Sequence, residues 1–152
     1  MKPWMRRIAW VAGTFAVTYG MIYADVVLRA RSAYLQGEQY SFWADHPAEH
    51  VRYLDQKFSA ERATLEARKA QAKISPDDYD RDAALLEFDH AQALKESSLK
   101  YAYVWYQTAA VLFSPPDSRW VRLARQKMPV VKERWKAELR AQNIAYQDYM
   151  ID

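Results

Sequence analysis

The chain has 152 residues, no cysteine, 51% hydrophobic and 27% charged residues, and a formal net charge of +3. The missing cysteines exclude a disulfide framework, a thiolate metal site and a cysteine nucleophile. Four of the 22 Lys and Arg and one of the 19 Asp and Glu fall in residues 1–29, so the other 18 and 18 cancel, which argues against a nucleic-acid binder.

The first element is a run from Ile8 to Leu28 in which Asp25 is the sole charged side chain. As a helix its 21 residues span about 31 Å, close to the hydrocarbon thickness of a bilayer. One membrane-spanning helix is therefore expected over 8–28. Lys2, Arg6 and Arg7 precede it, while Arg29 and Arg31 follow it. By the positive-inside rule, residues 1–7 are expected in the cytoplasm and the rest across the inner membrane, in the periplasmic or extracytoplasmic space. A cleaved signal peptide is the rival expectation, with a cut after Ala24. Ile22 is large for the third position before such a cut, and the apolar run exceeds a usual signal core, so retention is favoured.

Along this helix Ala9, Gly13, Ala16, Gly20 and Ala24 recur at spacings of four, three, four and four. At helical periodicity they share an arc of about 80°, a nearly bare face of the kind that lets membrane helices approach closely. Partner-helix binding is expected there, with lipid around the rest.

Residues 29–44 are expected to carry the helix end and an aromatic linker. Gly37 reads as the stop, and Tyr40, Phe42 and Trp43 as rings for the headgroup zone or for packing beneath the domain. A helical domain is expected over 45–142. Asp45, His46 and Pro47 start a helix to about Lys73, with Val51, Leu54, Phe58 and Leu65 on one stripe. Ser75, Pro76 and Asp78 start the next, running toward Phe113 with an interruption near Ser97, and its acidic residues suit the positive end of the helix dipole. Its second half, from Leu99, is apolar on nearly every side and is expected to be buried all round. Tyr101, Trp105 and Tyr106 on it, with Trp120 and Trp135 beyond, are expected to form the domain's core and partner-contact surface.

The stretch from Ser114 to Ser118 breaks the chain. A final helix follows, with a kink or short break at Pro129. Its outward side carries Arg119, Arg122, Arg125, Lys127, Lys132, Arg134, Lys136 and Arg140 against Glu133 and Glu138, a local charge of +6. Such a face suits acidic lipid headgroups or an acidic ligand, is solvated, or answers the acidic start of the preceding helix. Residues 143–152 form a tail whose Ile144, Tyr146, Tyr149 and Met150 suggest that it docks.

The fold class read from these elements is all-α: one N-terminal transmembrane helix and then a small bundle of about three to four helices with helical-hairpin packing. Ala102, Tyr106 and Ala109, followed by Trp120, Leu123 and Ala124, give residues of about 86–124 a pattern that resembles a tetratricopeptide helical hairpin. Pro115 sits one position late, Lys127 stands where an aromatic is usual, and no further repeat follows. The resemblance implies helix-pair packing and peptide or protein binding.

Chemistry-bearing patterns are few. His46, Glu49 and His50 have the spacing of inverted zinc peptidases, but Pro47 places His46 at or outside the helix start. Glu87 and His90 are half of a carboxylate-bridged di-iron pattern whose second copy is absent. A core histidine with one hydrogen bond explains His90 better. No Gly-rich phosphate loop exists. The expectation is a non-catalytic accessory or scaffold subunit of a larger membrane complex, with no cofactor, no nucleic acid, and partners in other membrane subunits and the bilayer. A freestanding anchored or secreted binding module for a peptide or acidic ligand is the alternative, and a metal-dependent enzyme comes last.

Overall fold

The computed structural model describes residues 3–147 and 151, with the side chains of residues 3 and 6–9 outside that description. The described residues form five α-helices and no strand: α1 (Pro3–Asp45), α2 (Pro47–Ala70), α3 (Pro76–Ala93), α4 (Ser98–Gln107) and α5 (Arg119–Ala141). A π-helical turn, Thr108–Leu112, continues α4. Two compact units result, one of residues 1–39 and 101–152, the other of residues 40–100. Both boundaries fall inside helices, so the expected segments 29–44 and 45–142 each contribute to both units.

In the first unit α1 is long and apolar enough to cross a membrane. Every described side chain from Trp10 to Asp25 is exposed to the surroundings of the chain. The one acidic residue of the run, Asp25, is paired with Arg29 one turn on at 2.7 Å. Beyond the run, Ala30, Ala33, Tyr34 and Gly37 turn buried, and this is where α1 meets the rest of its unit.

Gly37 does not stop α1, which continues to Asp45. No glycine has a positive φ, so Gly37 serves another purpose: a Cβ built there would lie 2.7 Å from the Tyr106 ring. The residue is glycine because an aromatic ring lies flat against the helix backbone. Tyr106 is itself 0% exposed, so the ring has nowhere to retreat.

The stretch 76–113 is two helices rather than one. Residues after α3 tighten into short-range turns, with Lys95 and Glu96 N–H groups donating to Gln92 and Ala93. The Ser97 hydroxyl then accepts from Lys100 N–H at 3.2 Å, which caps the new helix α4. The expectation of burial on every side fails for this segment. Ala102, Tyr103, Tyr106, Ala109 and Ala110 are buried, but Val104, Val111 and Leu112 are 42%, 59% and 72% exposed. Helix α5 carries Pro129 inside without a break, and buries Val121, Ala124 and Val131. In the tail, Ile151 is 4% exposed, and Tyr149 and Met150 lie outside the described residues.

In the second unit, α2 and α3 pack as an antiparallel hairpin. Ser75 caps α3 by accepting from Asp78 N–H at 3.1 Å, with Pro76 in the first turn. Arg81 pairs with the acidic start of α3, 3.0 Å from Asp78 and 3.4 Å from Asp82. Only Leu65 of this hairpin is buried, whereas Val51, Leu85 and Phe88 stay open. The α2 end is a Schellman motif: Ala72 N–H donates to Lys69, Lys73 N–H donates to Arg68, and Ala72 takes φ 51°.

Two substitutions should act in opposite directions. Gly37→Ala should lower thermal stability: overpacking costs about 1–3 kcal/mol, more than the roughly 1 kcal/mol that alanine gains over glycine in a helix. Ala72→Gly should raise stability by about 1 kcal/mol, because glycine carries no penalty at positive φ. Thermal unfolding of the two variants beside the parent chain checks both.

Candidate functional site

Side chains from three helices of the first unit meet around Tyr34 on α1. Ala30, Ala33 and Gly37 clear space on one face of the helix, and the aromatic rings of two other elements fill it. Tyr34 lies 5.7 Å from the Tyr106 ring of α4 at 50° and 5.7 Å from the Trp120 ring of α5 at 42°. Tilted pairs of this kind add about 0.5–1.5 kcal/mol each beyond their buried area. Arg31 and Arg119 both stand 5.7 Å from the Trp120 ring, within cation–π range.

A carboxylate completes the arrangement. The Tyr106 hydroxyl donates to Glu38 Oε1 at 2.6 Å, and the Lys127 ammonium stands 3.3 Å from the same oxygen. Burial alone would raise the Glu38 carboxyl, but hydrogen bonds from Tyr106 and Tyr34 and the charge of Lys127 outweigh it and hold the group below its usual range. Burial and the Glu38 charge together push the Tyr34 hydroxyl up to about 12. Glu38 is thus a fixed anion with its acceptors in use. Its chemistry is to tie α1 to α4 and α5.

Of the residues expected at the domain contact, Tyr106 is fully buried and serves the core. Trp120 joins it through Tyr34, and Trp135 pairs instead with Tyr103 at 5.8 Å. Tyr101 and Trp105 are half-buried and stand outside these ring pairs. Tyr34, Gly37, Glu38 and Tyr103 are not among the site residues that the sequence pattern marks. The available signal was the spacing of Ala30, Ala33 and Gly37, a second small-residue row turned roughly a quarter of the way round α1 from the first.

The first row lies apart. Gly13, Ala16, Gly20 and Ala24 are exposed, the side chain of Ala9 lies outside the described residues, and a Cβ at Gly13 or Gly20 would meet nothing within 4 Å.

The basic side of α5 is partly engaged within its own unit. Arg122 and Arg125 stand 3.6 Å and 2.8 Å from Asp117, and Arg125 also donates to the Ser114 hydroxyl at 2.8 Å. Arg119, Arg134 and Arg140 are exposed, with Arg119 beside Trp120 as described.

All three histidines lie in the second unit, each stacked on an aromatic ring. His46 covers Phe42 at 4.3 Å, and its Nδ1 lies 3.0 Å from the Phe42 carbonyl. The His50 ring lies 4.6 Å from that of Trp43, which is buried rather than free for headgroups. His50 Nδ1 meets the Ser98 hydroxyl at 3.1 Å, while Glu49 pairs with Arg52. His90 stacks on Phe58 at 4.5 Å and its Nε2 meets Asp55 at 3.0 Å. The pattern 46–50 is thereby spread over three separate sets of neighbours, and among the described residues no group of three or more His, Cys, Asp or Glu is placed to hold a metal ion.

No protein-family model, no curated protein and no solved structure matches the chain.

Burial lowers the His50 pKa from 6.5. The unfolded chain therefore binds more protons than the folded one just below that value, and stability follows the pH. The His50 contribution should be complete above about pH 6.5 and lost as pH falls through the lower folded value. Urea midpoints across that range check this, with His50→Gln expected to remove its share of the slope. Separately, Tyr106→Phe should cost about 1.5–3 kcal/mol, the usual worth of a hydrogen bond to a charged group, read from the same midpoints.

Proposed function

We propose that this chain is a non-catalytic, single-pass accessory or scaffold subunit of a larger membrane protein complex. Helix α1 would hold it in the cell membrane with residues 1–7 in the cytoplasm and the remaining helices on the far side. Partner subunits would bind the small-residue face at Ala9, Gly13, Ala16, Gly20 and Ala24, and the helical part beyond the membrane.

One observation carries this. The apolar segment is not tethered by a loose linker: α1 leaves the run 8–28 and enters the folded unit without a break, clamped at Tyr34, Gly37 and Glu38. Such a helix is a structural member of the fold. Force or orientation set by a partner in the membrane passes directly to the groups beyond it. The open space beside Gly13 and Gly20 supports a helix contact, because close backbone approach is what drives association in lipid. Leu85 and Phe88, 55% and 66% exposed on α3, are apolar surface in the other unit that a partner would cover.

The binding-module alternative draws on the basic side of α5. It has less support, since Arg122 and Arg125 are committed to Asp117 and Lys127 to Glu38.

The test is a double substitution, Gly13→Leu with Gly20→Leu, in the protein's own membrane. Gentle extraction and native mass spectrometry should show the parent chain travelling with other subunits and the variant released from most of them, its thermal unfolding unchanged. Full retention of the assembly by the variant, or a parent chain that travels alone, would count against the proposal.

A further inference from the structure

The turn that joins the π-helical segment to α5 lies beside a part of α1 that does not face water in a membrane-anchored chain. Pro115 and Pro116 line a cleft of about 210 Å³ with Tyr19, Ile22, Tyr23 and Val26. All four of these α1 residues belong to the apolar run 8–28. Tyr19 precedes Leu28 by nine residues, which is about 13 Å of helix. Whatever depth the bilayer gives these four side chains, it gives the two prolines also.

The composition of the turn suits that depth. Val111 and Leu112 are 59% and 72% exposed, and lie no more than about 14 Å of extended chain from Pro115. Neither proline has an N–H, so two donors that hydrocarbon cannot satisfy are absent. The polar groups close on one another. Ser118 N–H donates to the Pro116 carbonyl at 2.8 Å, and Arg122 donates to the Asp117 carbonyl at 2.7 Å. Arg125 donates to the Asp117 carboxylate and the Ser114 hydroxyl, each at 2.8 Å. Irregular backbone near hydrocarbon needs this internal pairing. The long stems of both arginines let their charge sit at headgroup level above an apolar surface.

We propose that residues 111–116 form a second membrane-embedded element, a wedge seated beside α1 whose partner is the hydrocarbon of the bilayer lipid. Val111, Leu112 and Pro115 meet acyl chains, and the unit is attached to the membrane at two points rather than one. The wedge rests on α1 being the anchor proposed above.

Because the chain has no cysteine, single thiols can be placed without background. Leu112→Cys, Phe15→Cys and Val130→Cys probe the wedge, the anchor and a part of α5 beyond the Lys127–Glu38 pair, outside the apolar run. Leu112 and Phe15 are each 72% exposed and Val130 59%, so packing within the protein does not separate them. The full-length variants are placed in lipid nanodiscs, open on both faces, and alkylated with a charged, water-soluble maleimide. Val130→Cys should react fast. Phe15→Cys and Leu112→Cys should react at least about tenfold more slowly, since the thiolate is the nucleophile and a one-unit rise in its pKa already removes that much of it. Val111→Cys repeats the wedge measurement one residue away, at a position as exposed as Val130. Fast reaction at Leu112→Cys and Val111→Cys with slow reaction at Phe15→Cys overturns the wedge and leaves the anchor standing. Fast reaction at all positions overturns the anchor, and the wedge with it.

Discussion

The contact between the Tyr106 ring and the backbone of α1 at Gly37 is the constraint on which the first unit depends. A flat ring laid 2.7 Å from where a Cβ would stand is possible at glycine alone. It brings the Tyr106 hydroxyl to Glu38 and the ring to Tyr34, and Trp120 closes the other side of Tyr34. Helices from opposite ends of the chain are thereby tied to one that begins as an apolar span. No loop separates the apolar run from the clamp, because α1 is continuous through both.

Several polar groups of the chain are engaged in this kind of fastening. Glu38 is held by two hydroxyls and an ammonium, Asp117 by two arginines, and each histidine by a ring and a hydrogen-bonding partner. Groups fixed in this way hold elements in place. Among the described residues, large apolar side chains stand exposed along α1 from Trp10 to Ile22, at Val111 and Leu112, and at Leu85 and Phe88 on α3. Apolar surface of this extent commonly marks contact with lipid or another protein. That supports placing the function in binding.

Much of the architecture was legible in the residue pattern. The starts at Pro47, Pro76 and Arg119 follow from local chemistry, because a proline or a serine cap acts within one turn. Gly37 departs from the helix-stop role for an equally physical reason. Glycine ends helices when it takes a positive φ, but it also admits a neighbour's ring, and the neighbour here lies 69 residues further along the chain. The segment 99–113 does not show its buried side in its pattern, since its exposed side at Val104, Val111 and Leu112 is as apolar as its buried one.

The sequence by itself determined the helical class, the one run able to cross a bilayer, the capped helix starts and the absence of thiol chemistry. These depend on composition and on interactions a few residues apart. Only the tertiary structure decided that α1 runs on to Asp45, that Glu38 is the anion at the clamp, and that Pro115 and Pro116 come beside Tyr19 and Val26. Each of those joins residues far apart in the chain, where helical periodicity shows which face a side chain occupies but not what lies against it.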